Sequence, residues 1–211
     1  MTQHIIDTLH FRYAVKQFIK DKKLDDTTLS TILEAGRMAP TAYGLQPFTL
    51  IHVKDTDLRQ KIREAAFNQP QVTDAGDVFV IARRTDINDA FVDEYVTRTA
   101  QVREVSIEDL KGFSEMMKGD ILSRDENAKA SWAGRQAYIA LGMMVETAAL
   151  LKVDAASMEG FIPSQIDEIL NLKEHNLASL GLFAVGYRDE SDAHATLTKV
   201  RRSKEDLILV R

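Results

Sequence analysis

The feature that most constrains the fold is the long apolar stretch AKASWAGRQAYIALGMMVETAALLK, at residues 128–152. Its apolar residues cover nearly every side of a helical repeat, and no proline interrupts it, so we predict one long helix. A helix this apolar should run through the protein core or through an interface between subunits rather than along the surface. Its longest apolar run is broken by Glu146 and is too short to span a bilayer. The N-terminus, MTQHIIDTLHF, also lacks the basic-then-apolar pattern of a signal sequence, so we expect a cytoplasmic protein with no membrane segment.

The composition excludes several chemistries. The 211 residues include no cysteine, which excludes disulfides, thiolate catalysis, iron–sulfur clusters and cysteine zinc sites. The five histidines are scattered, with no pair at ligand spacing, so we expect no metal site. The net charge of −5 argues against a nucleic-acid partner, although a local basic cluster can still bind a small anion. The short motifs of dinucleotide-binding folds, P-loops, zinc proteases and serine hydrolases are all missing from the sequence.

Hydrophobic periodicity predicts a mixture of helices and strands. The predicted helices lie at residues 3–10, 25–39, 56–66, 88–103, 106–122, 128–152 and 163–172. The predicted strands lie at residues 48–53, 77–83, 178–187 and 207–210, and residues 154–161 are predicted to form a short strand that enters a turn. The residues expected to start helices are Asp26 or Thr27, Asp55, Ser106 paired with Asp109, and Pro163. Because the two kinds of element neither alternate strictly nor segregate, we predict an α+β fold in which helices cover a sheet.

Four polar stretches are poorly explained by core packing: RYAVK at 12–16, APTAYGLQP at 39–47, FNQPQ at 67–71 and TKVRR at 198–202. Taken singly, each is compatible with solvated cations, an ordinary loop, a helix end or a charged tail. Taken together, the cations Arg12, Lys16, Lys199 and Arg201 suit a phosphate group. Amide side chains such as those of Asn68 and Gln71 suit the alternating acceptors and donors of a heterocycle edge. A phosphate joined to a polar ring describes flavin mononucleotide (FMN).

The sequence resembles the FMN-dependent nitroreductase family, and within it the oxygen-insensitive NAD(P)H nitroreductase subgroup. The resemblance covers essentially the whole chain. The segments that carry it, in order, are FRYAVKQF, RMAPTAYGLQPFTLIHV, FNQPQVTDAGDVFVIA, SWAGRQAYIALGMMVETAALL, SMEGF and TKVRR. Each segment alone is a weak signal, whereas six in the family's order are a strong one.

The resemblance implies a single α+β domain over residues 1–211, built on a mixed, mainly antiparallel sheet flanked by helices. It implies an intertwined homodimer in which the C-terminal strand adds to the partner's sheet and two FMN sites lie at the interface. A helical excursion at about residues 88–122 would form the lid of the pocket.

By matching positions, Arg12, Lys199 and Arg201 would hold the FMN phosphate, and Lys16 would stabilise negative charge at the N1/O2 end of the ring. Glu159 and Gly160 would present backbone near N5. The full set implied to contact FMN is Arg12, Tyr13, Ala14, Lys16, Pro40, Thr41, Ala42, Asn68, Gln71, Glu159, Gly160, Lys199 and Arg201. Within this set, Pro40, Thr41 and Ala42 would come from the other subunit. The residues implied to border the electron acceptor are Tyr43, Phe67 and Phe113.

The implied activity is hydride transfer from NADH or NADPH to flavin N5, and then to a nitroaromatic, quinone or similar small molecule by a ping-pong mechanism. No protein acid or base is required. The alternatives are an FMN-binding or redox-sensing protein on the same fold, an enone reductase or dehalogenase, and a domain whose cations merely cap helices. Gln71 stands where the family often has a lysine, which predicts a flavin that is harder to reduce. Tyr43, Gly44 and Leu45 replace small polar residues, so the acceptor preference stays open, as does the choice between NADH and NADPH.

Overall fold

The fold is built on a four-stranded antiparallel sheet, seen in a computed structural model that describes residues 2–211. The strands are β1 (Phe48–His52), β2 (Asp77–Arg84), β3 (Asp154–Met158) and β4 (Leu177–Gly186). Their spatial order is β1-β2-β4-β3, and every neighbouring pair is antiparallel. The predicted α+β class and the mainly antiparallel sheet are therefore confirmed.

Helices cover both faces of the sheet. Those within residues 2–211 are α1 (Thr2–Phe11), α2 (Asp26–Arg37), α3 (Thr56–Ala65), α4 (Gln71–Asp74), α5 (Asp89–Arg103), α6 (Lys111–Leu122), α7 (Glu126–Leu150), α8 (Pro163–Ile169) and α9 (Lys204–Leu207). The short helices α4 and α9 were not predicted. The predicted helix at 106–122 is interrupted, because a 3₁₀ turn at Glu108–Leu110 precedes α6.

The central strands β2 and β4 are buried on both faces, which explains their continuous apolar sequences. Alternate residues point to opposite sides, as the period of two in a strand requires. Val80 and Leu182 pack on one side, towards Ile62 of α3 and Ile166 of α8. On the other side, apolar residues of the same strands pack with α2 and α7.

Helix α7 runs through the core, as predicted, and packs against α1, α2 and all four strands. It approaches α2 closely at Gly36, where a Cβ atom would lie 2.8 Å from the sulfur of Met144. Residues 2–211 leave one face of α7 uncovered: Tyr138 and Ile139 are 38% and 40% exposed. The helix thus has a core face and an apolar outer face.

The excursion between β2 and α7 has its own apolar cluster. Phe91 and Val96 of α5 pack with Met117 and Ile121 of α6, and Trp132 at the start of α7 completes the cluster. The two excursion helices therefore pack on the N-terminal part of α7, and α5 also contacts the end of β2, where Arg84 lies 5.0 Å from the ring centre of Phe91.

Local capping signals were mostly predicted correctly. Asp55 caps α3, Pro163 opens α8, and Ser106 and Asp109 exchange hydrogen bonds. The prediction for α2 was wrong by one residue: its N-cap is Asp25, whose carboxylate accepts from the backbone N–H of Thr28 at 2.9 Å.

The predicted C-terminal strand is not formed within the chain. Ser203 caps α9, and residues 208–211 follow without strand pairing and with their side chains exposed. Addition of this segment to a partner's sheet stays a prediction. No helix within residues 2–211 is both long enough and apolar enough to cross a membrane.

Candidate functional site

Cations from both ends of the chain converge beside β3. The segment before Phe18 runs along this strand, with Ala14 bridged to Ala155. The amine of Lys199 donates a hydrogen bond to the carbonyl oxygen of His10, which joins the C-terminal segment to the end of α1. Burial, followed by the charges of Arg12, Arg201 and Arg188, lowers the pKa of Lys199. The structure thus places Arg12 and Arg201 near Lys199, and their role in holding a phosphate stays a prediction.

This cationic cluster is only partly neutralised. The Arg12 guanidinium lies 3.9 Å from the Glu146 carboxylate, at the limit of an ion pair. In the part of the chain that the structure describes, Lys16, Lys199 and Arg201 have no carboxylate within 4.0 Å. Repulsion between neighbouring positive charges is relieved when an anion binds between them. Guanidinium groups also match the geometry of phosphate oxygens. The cluster is therefore a candidate phosphate site.

A buried carboxylate, missed by the sequence analysis, organises the first of these segments. Asp192 is 2% exposed and accepts hydrogen bonds from the Tyr13 hydroxyl at 3.0 Å and from the backbone N–H groups of Lys16 at 2.8 Å and Gln17 at 3.2 Å. Burial alone would raise the pKa of Asp192, but its hydrogen bonds outweigh burial and lower the pKa to about 2. Burial and the same contact raise the pKa of Tyr13 to about 12. Asp192 therefore fixes the backbone that carries Lys16.

A second unpredicted pair supports the same region. Asp154 is 6% exposed and accepts hydrogen bonds from the backbone N–H of Arg188 at 2.8 Å and from its Nε at 2.7 Å. The Arg188 guanidinium also lies 4.4 Å from the ring centre of Phe11 and 4.6 Å from that of Tyr13. Arg188 therefore packs beneath the segment that carries Arg12, with its own charge paired to Asp154.

Replacement of Asp192 by asparagine is expected to destabilise the protein in a pH-dependent way. The native pKa lies below its ordinary value of 3.8, so the stabilisation is present above about pH 4 and is lost as the pH falls towards 2. We expect a loss of about 1–2 kcal/mol in the free energy of unfolding at pH 7, and a smaller loss at pH 3. Urea unfolding at both pH values measures it, with Glu190→Gln, an exposed neighbour, as the control. An equal loss at pH 3 and pH 7 would contradict the assignment.

The predicted amide segment meets the predicted turn after β3. Phe67 and Asn68 both have left-handed backbone, with φ of 54° and 58°. The Gln69 amide nitrogen then donates to the carbonyl oxygen of Gly160 at 2.7 Å. Asn68 is exposed, and within residues 2–211 its side chain makes no hydrogen bond. The Asn68 and Glu159–Gly160 segments, far apart in sequence, are thus neighbours in the fold.

Tyr138 of α7 holds the other side of this turn. Its hydroxyl donates to the Glu159 carboxylate at 2.6 Å and lies 3.2 Å from the carbonyl oxygen of Leu180. Burial and the contact with Glu159 raise the pKa of Tyr138 to about 12, so the phenol stays protonated. Nothing in the sequence marked Tyr138 as part of the site, because the long apolar helix was interpreted only as packing.

Gln71 provides a chemical test of what the site could bind. The side chain is 3% exposed, and its Oε1 is buried without a hydrogen-bond donor among the residues that the structure describes. A buried amide oxygen without a partner costs free energy. A ligand that presents a ring N–H would satisfy it, as the heterocycle of FMN does. This residue therefore fits the expected group.

The predicted acceptor residues fall into two groups. Tyr43 and Phe113 are in edge-on contact, with ring centres 6.2 Å apart, and the Tyr43 hydroxyl donates to Asp120 of α6 at 3.0 Å. Phe67 lies elsewhere, beside Gly160, and is 64% exposed. Next to Tyr43, the backbone N–H of Ala42 donates to Gln136 of α7 at 2.8 Å. Within one chain, the structure therefore joins Tyr43 to Phe113, and neither of them to Phe67.

Over residues 2–211, no group of three or more histidine, aspartate or glutamate side chains is arranged to hold a metal ion.

Solved structures share this fold, an antiparallel sheet flanked by helices. A Bacillus subtilis protein, solved as a "putative nitroreductase", superposes with a TM-score of 0.87 at 17% identity, and the match covers 100% of both chains. A protein of Exiguobacterium sibiricum, solved as a "putative nitroreductase in complex with FMN", has a TM-score of 0.82 at 16% identity over 98% of this chain and 97% of its own. At these identities, the comparisons establish the fold.

Sequence comparison gives the family. The family model described as "Nitroreductase family" matches residues 9–187, and the chain belongs to this family. A relative from Staphylococcus epidermidis, named "Putative NAD(P)H nitroreductase", is 30% identical over 99% of this chain and 97% of its own length. The predicted family is confirmed.

Proposed function

We propose that the protein is an FMN-dependent NAD(P)H oxidoreductase that reduces a nitroaromatic, quinone or similar acceptor by a ping-pong mechanism. The observation that carries this proposal is the convergence of Arg12, Lys199 and Arg201 beside β3. Family membership, the name of the staphylococcal relative and the FMN bound to the Exiguobacterium protein support it. The activity is thus proposed for this chain from its own cations together with its relatives.

In this proposal, Arg12, Lys199 and Arg201 bind the phosphate of FMN as a cluster of charge-assisted donors. Lys16 lies on the backbone fixed by Asp192 and stabilises negative charge on the N1/O2 end of the ring. Bound FMN supplies the hydride-transfer chemistry between nicotinamide and acceptor. The protein positions the cofactor and supplies the positive charges that stabilise its phosphate and the N1/O2 end of its ring.

The remaining residues would orient the ring. Asn68, with its exposed amide, and Gln71, whose buried oxygen has no donor within residues 2–211, face its polar edge. The Glu159–Gly160 turn, held by Tyr138 and Gln69, presents backbone near N5. Two buttressed segments would therefore meet the ring from one subunit.

We further propose that the site is completed by a homodimer. The outer face of α7 forms a shallow groove of about 550 Å³ lined by Gly134, Tyr138, Ile139 and Leu180. The apolar side chains of Leu209 and Val210 in the C-terminal segment are 75% and 87% exposed. Exposed apolar surface of this kind is typical of a subunit interface. Pro40, Thr41 and Ala42 would then contact the partner's FMN, and the excursion at about residues 88–122 would cover it as a lid.

An anaerobic titration tests the activity. The FMN-loaded protein should lose its visible flavin absorbance when one equivalent of NADH or NADPH is added, and regain it when one equivalent of a quinone or nitroaromatic follows. Free FMN at the same concentration is the control for the unbound cofactor. Absorbance that persists for minutes with both nicotinamides would instead favour a binding or redox-sensing protein. A colourless protein whose melting temperature does not rise with added FMN would refute FMN binding itself.

A panel of acceptors under the same conditions, including an enone and a halogenated aromatic compound, identifies the acceptor class. Because a nitroaromatic or quinone is proposed, it should give the largest kcat/KM. A clear preference for the enone or the halogenated compound would assign the alternative reactions.

A further inference from the structure

The loop between α2 and β1 has an unusual backbone. Tyr43, Gly44 and Gln46 have φ of 60°, 82° and 46°, in the left-handed region that residues with side chains rarely adopt. Such conformations persist where surrounding contacts determine them, and they often accompany function. This loop, residues 41–46, is therefore held by its neighbours.

Contacts to the excursion helices account for this. The Tyr43 hydroxyl donates to Asp120 on α6, and the Tyr43 ring lies edge-on to Phe113 of the same helix. Asp120 is in turn held by Arg124, whose Nη2 lies 3.0 Å from both carboxylate oxygens. The Arg124 guanidinium lies 5.6 Å from the ring centre of Trp132 in α7. The loop is thus connected through α6 to the long core helix.

The other excursion helix abuts the same loop. A Cβ atom at Gly44 would lie 2.9 Å from the hydroxyl of Tyr95 in α5, so a side chain at this position would force the loop and α5 apart. Both α5 and α6 therefore contact the loop, but only Tyr43 joins it to them by a side-chain hydrogen bond among the residues described.

We propose that Tyr43 is a specificity-determining residue: by fastening α6 to the loop at 41–46, it fixes the opening of the acceptor space and disfavours bulky acceptors. This inference rests on the proposed function, since the lid and the loop border an acceptor only in that enzyme. An acceptor larger than the fixed opening must displace α6, and the Tyr43–Asp120 hydrogen bond opposes that displacement. Small planar acceptors enter without displacing it.

Selectivity between two quinones tests the inference. We compare 1,4-benzoquinone with 2,5-di-tert-butyl-1,4-benzoquinone and take the ratio of their kcat/KM values within each enzyme, so that differences in intrinsic reactivity cancel between variants. Tyr43→Phe, which keeps the ring and removes the hydroxyl, should shift the ratio towards the bulky quinone by about fivefold, the upper end of the effect of one solvent-exposed contact. Asp120→Ala should give the same shift, and the double variant should show no further shift. Glu115→Gln, an exposed α6 carboxylate with no hydrogen-bond partner among residues 2–211, is the matched control.

Hydrogen exchange provides a readout independent of turnover. Amides of α6 should exchange faster in Tyr43→Phe and Asp120→Ala than in wild type or Glu115→Gln, with α3 unchanged. Unchanged α6 exchange, or a quinone ratio within twofold of wild type in both variants, would overturn the role of Tyr43. Failure of the wild-type enzyme to reduce any quinone or nitroaromatic would instead refute the proposed function, and the exchange measurement would still decide whether Tyr43 restrains α6.

Discussion

Replacing Arg12 and Arg201 together by alanine is expected to yield a protein that purifies without FMN. Each guanidinium is proposed to make charge-assisted hydrogen bonds to the phosphate, worth about 1.5–3 kcal/mol each. Their joint loss would weaken binding by roughly two to four orders of magnitude. The measurement is the ratio of flavin absorbance to protein after gel filtration, followed by titration with FMN.

The control for net charge is the double variant Arg103→Ala with Arg202→Ala, which removes two exposed arginines outside the proposed phosphate site. It should retain FMN as wild type does. Circular dichroism of both double variants establishes that loss of FMN is not loss of fold. Stoichiometric FMN in the Arg12→Ala, Arg201→Ala variant would refute the assignment of the phosphate site.

Asp154→Ala is expected to lower the free energy of unfolding by about 3 kcal/mol, a larger loss than that of Asp192→Asn. The substitution leaves the partly buried Arg188 guanidinium without its carboxylate partner. Arg188 also lies near enough to Lys199 to lower the pKa of Lys199, so the unpaired charge would have a cation as its neighbour. Removal of one partner from a buried ion pair typically costs about 3–5 kcal/mol, and the lower value suits a guanidinium that retains some exposure. Urea unfolding at pH 7 measures the change.

A matched pair of variants separates loss of the ion pair from loss of packing. Asp154→Leu with Arg188→Met replaces both charges by apolar groups and should be less destabilised than Asp154→Ala alone. Glu34→Ala, which breaks an exposed ion pair with Arg37, should change stability little. If the double variant is less stable than Asp154→Ala, the unpaired charge of Arg188 is not the cause of the stability lost in Asp154→Ala.

Periodicity and local capping predicted much of the fold because they depend on nearby residues. The apolar runs at residues 77–83 and 178–187 correspond to β2 and β4, since a strand buried on both faces is apolar throughout. The error at the start of α2 arose because four consecutive residues, Asp25 to Thr28, all suit a helix N-terminus. Only the geometry of the first turn shows that Asp25 is the one that caps it.

The site could be predicted only where the family resemblance supplied residues. Asp192, Arg188 and Tyr138 were missed because their partners are remote in sequence: Asp192 lies 176 residues from Lys16, and Arg188 lies 34 residues from Asp154. A single sequence carries no signal for such pairings. For the same reason, the sequence cannot specify which sheet edge the apolar segment at 207–210 would pair with, and its pairing with a partner's sheet stays a prediction.

The hydrogen bonds between Asp192 and the segment at Tyr13–Gln17 also bear on protein synthesis. During translation, Lys199 and Arg201, which are proposed to hold the phosphate with Arg12, become available only when nearly the whole polypeptide has left the ribosome, because domains assemble as their sequence emerges from the N-terminus. A nascent chain that stops before Asp192 contains all four strands yet lacks the carboxylate that accepts hydrogen bonds from Tyr13, Lys16 and Gln17. Flavin capture by this protein is therefore expected to be a post-translational event, and loss of the segment that begins at Asp192 should remove the capacity for it.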